Sequence, residues 1–285
     1  MKSLTRRDAL RLSVTGAVAG AGTAGLLALG ALLDPPRPRA APGPSDPAPA
    51  SSALPTRDSG SFVSAARGGV ETNWIIARPP GQTGTLRPVI ALHHFGGNAA
   101  GVMDLGVEDG LAALARAGRP PFAVVSVDGG DGYWHKRASG EDSGAMVLNE
   151  LIPMLASKGL DTSRVGFIGW SMGGYGALLL GSRLGPARTA GICAVSPALF
   201  LTYWGSGQTA FDSVEDWRSN SVFGQPALAS IPIRVDCGTG DRFSAATKQF
   251  VDQLPTKPAG GFSPGGHDVS FWRQHLPDEL AWLGS

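Results

Sequence analysis

The chain has 285 residues, of which 42% are hydrophobic and only 16% charged, and its formal net charge is +1. That length and apolar content allow one folded domain of about 230 residues plus a tail. The near-neutral balance, with no basic cluster beyond the N-terminus, excludes the charged surface that a nucleic-acid-binding protein needs. Only two cysteines occur, which excludes a disulfide framework and a cysteine-rich metal site.

Residues 1–33 have the pattern of a targeting segment. A twin arginine, Arg6-Arg7, precedes an uncharged stretch at residues 12–33 that is rich in Ala and Gly, as is typical of a twin-arginine export signal. A retained membrane anchor is the alternative, because about 20 apolar residues suffice to span a bilayer. Both interpretations place the rest of the chain outside the cytoplasm, secreted or associated with the cell envelope. Both also allow the N-terminal segment to contact a membrane.

Residues 34–56 are predicted to form a disordered linker. The stretch is dense in Pro, Ala and Ser, a composition that cannot bury enough apolar surface to fold. Signal cleavage would fit at Ala48-Pro49-Ala50 or near Ala40 and Ala41. The folded domain is then residues 57–285.

Strand and helix signals alternate through that domain. Short apolar runs predict strands at 70–77, 88–92, 122–127, 165–168, 191–195 and 233–237. Helical periodicity predicts helices at 101–116, 143–157, 177–184 and 245–254, and from about Phe271 onward. Residues 196–226 are less regular, and the pattern does not show whether they form a lid. The alternation predicts an α/β fold with a mostly parallel central sheet, helices on both faces and no large cap domain.

Cys193 and Cys237 lie in two strands that should be neighbours in the sheet. Buried free thiols are favoured, because cysteine fills small apolar sites and the geometry of a bridge between adjacent strands is demanding. A disulfide between them is the alternative.

The run at 165–168 ends in Gly-Trp-Ser-Met-Gly at positions 169–173, a Gly-x-Ser-x-Gly pattern. A strand that turns sharply into a helix holds the central serine in a strained backbone conformation. Gly169 and Gly173 are the small neighbours that let the chains pass closely. Ser171 would then stand beside a helix N-terminus, which favours a developing negative charge. Chance is the alternative for the pattern alone, since the chain has 41 glycines.

A serine nucleophile needs a base within hydrogen-bond reach and a carboxylate that orients the base. In this architecture the chain order is Ser, then Asp or Glu, then His. Only His267 and His275 follow Ser171. His267 is favoured, because it lies in a glycine-containing loop that can approach the sheet edge. His275 falls within a helical segment, where a partly exposed surface position is expected.

Asp241 is the favoured carboxylate. It follows the strand at 233–237 through Gly-Thr-Gly, which places it at the strand's C-terminal end, where ligands bind in open parallel sheets. Asp236 lies inside that strand, where a structural role is expected. The acidic candidates between the serine and the histidine are Asp212, Glu215, Asp216, Asp236, Asp241 and Asp252.

An oxyanion hole needs two backbone N–H groups. Met172, directly after the nucleophile, supplies one, and the loop at 93–98 should supply the other. A metal interpretation of His93-His94 is weak, because adjacent residues of an extended segment point to opposite faces and a zinc site needs further ligands. We expect no metal.

The loop at 128–135 follows another strand end and should border the same cleft. Tyr133, Trp134 and His135 are its candidates for substrate contact, with a surface loop shaped by glycines as the alternative. His94 and Trp170 are also expected to contact the substrate.

Three separated motifs carry a resemblance to a known family. They are Gly-Trp-Ser-Met-Gly-Gly-Tyr-Gly, Leu-His-His-Phe-Gly-Gly at 92–97, and Gly-His-Asp-Val-Ser-Phe-Trp at 266–272. Together they resemble the esterase family of α/β-hydrolases, which includes esterase D, feruloyl esterases and the antigen 85 mycolyltransferases. The likeness covers about residues 70–283. It implies an α/β-hydrolase fold, with Ser171 as nucleophile, His267 as base and Asp241 as its orienting acid.

The resemblance also implies that Phe95 and Met172 offer the oxyanion N–H groups. The family commonly has His-Gly where this chain has His93-His94. The expected function is a secreted serine esterase that acts on a small-molecule, lipid or glycan ester, with no cofactor and no obligate protein partner. An acyltransferase that passes the acyl group to a sugar or lipid hydroxyl is one alternative. A non-catalytic binding domain with the same fold is another.

Overall fold

The computed structural model describes residues 55–206 and 209–285. The predicted targeting segment at 1–33 lies outside the described residues, as does all but the end of the predicted linker. Within the described ranges, no helix has the length and apolar character needed to cross a membrane.

Eight strands form one sheet, in the spatial order β1-β2-β4-β3-β5-β6-β7-β8. The strand bounds are β1 Arg57–Ser64, β2 Val70–Ala77, β3 Pro88–Leu92, β4 Ala123–Val127, β5 Val165–Trp170, β6 Thr189–Val195, β7 Ile233–Gly238 and β8 Ala259–Ser263. β1 and β2 pair in the antiparallel sense, as do β2 and β4, whereas all other pairs are parallel. The predicted mostly parallel α/β sheet is confirmed.

Helices cover both faces of this sheet. Their bounds are α1 Ala99–Met103, α2 Val107–Arg116, α3 Ser143–Ala145, α4 Ile152–Ser157, α5 Met172–Leu184, α6 Val214–Ser219, α7 Ser244–Gln253 and α8 Val269–Leu283. A π-helical segment, Met146–Leu151, joins α3 to α4. One apolar cluster lies beneath α4 and α5, and a second lies beneath α1, α2 and α8. Because both faces are covered, every residue of β3, β4 and β5 is buried.

The structure differs from the sequence prediction at several places. β8, which has exposed residues and two glycines, was not predicted as a strand, and the helix predicted at 143–157 contains the π-helical segment. The single helix predicted at 101–116 is two helices, because the chain turns at Gly106, whose φ of 107° suits glycine. β1 was not predicted at all. It is an edge strand with mostly exposed, polar and small residues, so it lacks the apolar pattern by which a strand is recognised.

The two cysteines are buried free thiols, as favoured from the sequence. Their strands, β6 and β7, are neighbours, but Cys193 lies opposite Arg234 in the register and not opposite Cys237. The alternative of a disulfide is therefore wrong.

The carboxyl group of Glu279, in α8, is buried without a hydrogen-bond partner among the described residues. Its side chain is fully enclosed. Burial, reinforced by the negative charge of Asp236, raises the pKa of Glu279 well above its usual value. Arg234 opposes this shift, but it is engaged by Asp236 at 2.6 Å.

We predict that Glu279 makes the fold less stable as the pH rises. A carboxyl whose pKa is raised by folding contributes fully below its unfolded pKa, near 4.5, and loses that contribution as the pH rises toward the folded value. The loss is at most about 1.4 kcal/mol per pH unit. Urea denaturation from pH 4.5 to 8 measures the unfolding free energy of wild type minus that of Glu279→Met. This difference should decrease as the pH rises, because only the wild type has the carboxyl. The exposed Glu215→Gln is the control, and a pH-independent difference for Glu279→Met would contradict the prediction.

Candidate active site

Ser171 lies at the turn between β5 and α5 with φ 56° and ψ −115°. This is a conformation that non-glycine residues rarely adopt, at a cost of about 1–3 kcal/mol. A Cβ atom on Gly169 would overlap the carbonyl of Gly173, and one on Gly173 would overlap the carbonyl oxygen of Leu92. The two glycines are therefore required by close backbone approach, as the motif predicts.

Backbone hydrogen bonds hold the strained serine from both sides. The Ser171 N–H donates to the carbonyl of Val195 at 3.0 Å. The Ser171 carbonyl accepts from the N–H groups of Ala198 at 2.9 Å and Tyr175 at 3.1 Å. The position of the hydroxyl is thus set by β6, by the segment after it and by the first turn of α5.

The structure brings Ser171, His267 and Asp241 together. The Ser171 Oγ lies 2.8 Å from the His267 Nε2, and the His267 Nδ1 lies 2.8 Å from the Asp241 Oδ2. The other oxygen of Asp241 accepts the N–H of Phe243 at 2.8 Å. Burial alone would raise the pKa of Asp241, but the hydrogen bonds from His267 and Phe243 outweigh it and hold the pKa below its usual value.

These contacts assign the proton positions in the resting site. Because Asp241 is ionised, it accepts a hydrogen bond from Nδ1–H of His267. In the tautomer that carries its proton on Nδ1, the lone pair of Nε2 faces the hydroxyl of Ser171. The arrangement can take a proton from the serine without any rearrangement of the ring.

The loops that carry the acid and the histidine are joined to each other. β7 and β8 are parallel neighbours, and beyond them the Thr239 N–H donates to the carbonyl of Ser263 at 2.8 Å. The Gly240 N–H donates to the carbonyl of Gly265 at 2.9 Å. A Cβ atom on Gly238 would overlap that same carbonyl. The glycine-containing sequences around both residues therefore allow the two loops to run side by side.

Aromatic rings flank the His267 imidazole. The ring of Phe243 lies 5.1 Å from it and that of Trp272 lies 5.5 Å away, both edge-on. The His267 side chain is 15% exposed and that of Asp241 is fully buried. The rings reduce access of water to the hydrogen-bonded His267 and Asp241 side chains, which strengthens their electrostatic interaction.

The predicted oxyanion donors have free N–H groups. Met172 is the first residue of α5, and Phe95 lies in the loop after β3. Within the described ranges, neither N–H donates to a protein acceptor. Both are therefore free to bind an oxygen that develops negative charge.

Two hydrogen bonds connect the Phe95 loop to the loop after β4. The Gly96 N–H donates to the Asp131 carboxylate at 2.6 Å, and the Gly129 N–H donates to the His93 Nε2 at 2.9 Å. The His93 Nδ1 donates to the carbonyl of His94 at 2.7 Å. Burial lowers the pKa of His93, so the ring is neutral and both of its nitrogens are occupied. It has no lone pair to offer a metal ion.

Three residues expected to contact substrate are instead in the interior. Trp134 and His135 have no exposed surface, and Trp170 is 1% exposed. Trp134 packs where a Cβ on Gly129 or Gly176 would collide with it. The expectation of direct substrate contact is therefore corrected for all three, because a buried side chain cannot reach a ligand in this conformation.

The remaining candidate residues, His94, Tyr133 and His275, lie in three different surroundings. His94 is half-buried at the site, with its ring 5.3 Å from that of Trp272. Tyr133 lines a cavity next to the catalytic residues. His275 lies away from the nucleophile, where its Nε2 is 3.0 Å from the Ser263 Oγ and its ring stacks on Phe271. It is half-buried, in agreement with the partly exposed position expected from the sequence.

A buried cluster elsewhere places Cys193, Asp236 and Glu279 within 4.8 Å of one another. Arg234 neutralises Asp236, and burial raises the pKa of both Cys193 and Glu279. An uncharged thiol and carboxyl beside a guanidinium suit a cation poorly.

Comparisons with known proteins find solved structures that are similar in fold. A ferulic acid esterase structure aligns at a TM-score of 0.69 with 18% identity, covering 80% of this chain and 96% of that one. An S-formylglutathione hydrolase from Agrobacterium tumefaciens aligns at 0.67 with 18% identity, covering 82% and 96%. Mycobacterium tuberculosis MPT51 aligns at 0.63 with 17% identity, covering 78% and 97%. No curated protein sequence matches significantly.

At these identities the structural likeness establishes the α/β-hydrolase fold. The family model described as "Putative esterase" matches residues 76–283. That range contains the Gly-x-Ser-x-Gly turn at 169–173, the loop after β3 and the loops that carry Asp241 and His267. The chain therefore belongs to the esterase family of α/β-hydrolases.

Proposed function

We propose that the protein is a secreted serine esterase that hydrolyses carboxylic esters through an acyl-enzyme on Ser171. The observation that carries the proposal is the unbroken chain of two 2.8 Å contacts from the Ser171 Oγ through His267 to Asp241. Membership of the esterase family supports an ester substrate.

In the first half-reaction, the His267 Nε2 accepts the proton of Ser171 as Oγ attacks the ester carbonyl carbon. The Asp241 carboxylate stabilises the imidazolium that forms and keeps the ring in position. The N–H groups of Phe95 and Met172 bind the oxyanion of the tetrahedral intermediate. When the intermediate collapses, the imidazolium protonates the departing alcohol and the acyl group stays on the serine oxygen.

In the second half-reaction, His267 removes a proton from water as its oxygen attacks the acyl carbon. The bond between that carbon and the Ser171 Oγ then breaks, the imidazolium returns its proton to Oγ, and the acid is released. The same residues could activate a sugar or lipid hydroxyl, because the triad determines only how the acyl-enzyme forms. The acceptor that reaches the acyl-enzyme therefore determines the reaction: water gives hydrolysis, and a sugar or lipid hydroxyl gives transfer.

We predict that Ser171→Ala lowers kcat/KM for p-nitrophenyl butyrate by about 10⁶-fold, the loss typical of removing a triad serine. A fluorophosphonate probe should label the wild-type protein on the peptide that contains Ser171, and should not label the variant. Circular dichroism and thermal unfolding should remain close to wild type.

Ser182→Ala is the matched control, because that serine lies on the same helix with its hydroxyl bonded to the carbonyl of Leu179. It should keep full activity and labelling. Undiminished hydrolysis by Ser171→Ala would overturn the proposal, and a wild-type protein that neither reacts with the probe nor hydrolyses esters would favour the non-catalytic alternative.

We predict that water is the acceptor. When the enzyme acts on p-nitrophenyl butyrate in the presence of trehalose or glycerol, butyric acid should account for the p-nitrophenol released, as measured by chromatography. Accumulation of acylated polyol in place of the free acid would instead assign the protein as an acyltransferase.

We propose export by the twin-arginine route on the sequence of residues 1–33. Replacing Arg6 and Arg7 together by Lys should retain the protein in the cytoplasm of a bacterium that has this pathway, because the arginine pair is the recognised signal. Cell fractionation and immunoblotting measure the distribution, and Arg11→Lys is the control. Equal export of the double variant would contradict this route.

A further inference from the structure

A cavity of about 470 Å³ opens between the loop after β4, the segment after β6 and the loop after β7. Its volume is in the range of small-ligand sites. Apolar and aromatic side chains form its walls, and hydroxyl groups and one arginine complete them: Tyr133, Leu199, Phe200, Thr202, Ser206, Thr209, Arg242 and Phe243.

The cavity walls contact the reaction centre at two places. The ring of Phe243 lies 5.1 Å from that of His267, and the ring of Tyr133 lies 6.2 Å from that of Phe95. Phe200 joins these two walls, 5.4 Å from Phe243 and 6.1 Å from Tyr133. A group in this cavity would therefore lie next to an ester bound between the histidine and the oxyanion donors.

Arg242, the arginine on this cavity, is exposed and has no counter-ion in the part of the chain that the structure describes. Among the described residues, no carboxylate lies within ion-pair distance of Arg242 and no acceptor is bonded to its guanidinium. Asp241 precedes it, but the oxygens of that carboxylate accept from His267 and Phe243. By contrast, Arg137 is held by Asp212 at 2.8 and 3.1 Å.

The position of Arg242 suits recognition of an anion. Its guanidinium lies 4.8 Å from the centre of the Phe243 ring. A cation–π contact of this kind uses the face of the guanidinium and does not consume its N–H donors. Burial raises the pKa of Tyr133, another residue that lines the cavity, and the positive charges of Arg242 and Arg137 oppose the shift.

A hydroxyl on the cavity can add a second donor. The Thr202 Oγ1 accepts the N–H of Gly205 at 3.1 Å, which leaves its own proton free to donate. Asp131, the acid whose charge also acts on Tyr133, accepts a hydrogen bond from Gly96 at 2.6 Å, so that charge is already partly compensated.

We propose that the substrate is an ester with a carboxylate at one end, which Arg242 binds while the adjoining apolar or aromatic part packs against Phe200 and Phe243. This inference rests on the proposed esterase function and names its substrate class. The carboxylate could belong to the acyl group or to the alcohol, and the experiment separates the two.

Two matched ester pairs test the proposal. For the acyl side, p-nitrophenyl hydrogen glutarate is compared with its neutral methyl ester. For the alcohol side, 4-butyryloxybenzoate is compared with its neutral methyl ester. The measured quantity is the ratio of kcat/KM for the anionic ester to that for the neutral one, in wild type, Arg242→Gln and Arg119→Gln. Arg119 is an exposed arginine outside the site.

For one of the pairs, Arg242→Gln should lower the ratio about 10- to 100-fold, as expected for loss of a charge-assisted hydrogen bond. Most of the change should appear in KM, and high salt should reduce the wild-type preference. Arg119→Gln should leave the ratio unchanged. The pair that responds identifies which side of the ester carries the charge.

A binding measurement keeps the inference independent of turnover. Calorimetric titration of the anionic esters into Ser171→Ala should show binding that is lost in the double variant Ser171→Ala with Arg242→Gln. Ratios that do not change with Arg242→Gln for either pair would overturn the inference, and continued hydrolysis of the neutral esters would then leave the proposed function intact. A protein that hydrolyses none of these esters and does not react with the fluorophosphonate probe would remove both.

Discussion

In the turn between β5 and α5, the backbone at Gly169 and Gly173 lies so close to other backbone atoms of the protein that no side chain fits at either position. This approach presses the start of α5 against the end of β3, where the loop of Phe95 begins. It also forces Ser171 into its strained conformation, which hydrogen bonds from β6 and α5 maintain. The hydroxyl and the N–H of Met172 are thereby presented at the same edge of the sheet.

The remaining parts of the site are held by contacts between loops. The loop of Asp241 and the loop of His267 share backbone hydrogen bonds beyond β7 and β8. The loop of Phe95 is bonded to the loop after β4. These bonds hold the loops of Asp241, His267 and Phe95 in place, so that an esterase reaction as proposed would need little reorganisation of the site.

Charge is distributed unequally around the cleft. Asp241 accepts a hydrogen bond from His267, and Arg137 pairs with Asp212. Arg242 is exposed beside the aromatic cavity and has no ion-pair partner in the described part of the chain. A paired charge holds local geometry, whereas an unpaired cation next to apolar walls is available to bind a ligand of opposite charge. This difference is the basis on which a carboxylate-bearing ester is proposed.

Local patterns in the sequence determined the α/β class, the chain order of strands β2 to β7, the Gly-x-Ser-x-Gly turn and the expected roles of Ser171, Asp241 and His267. These features depend on short-range rules: apolar periodicity, the glycines of a tight turn, and the position of a residue after a strand. Only the tertiary structure decided that Trp134, His135 and Trp170 are buried, that Glu279 is enclosed, and that Arg242 lies beside a cavity without an ion-pair partner among the described residues. Burial and pairing depend on residues that are distant in the chain and meet only when the sheet and its loops are assembled.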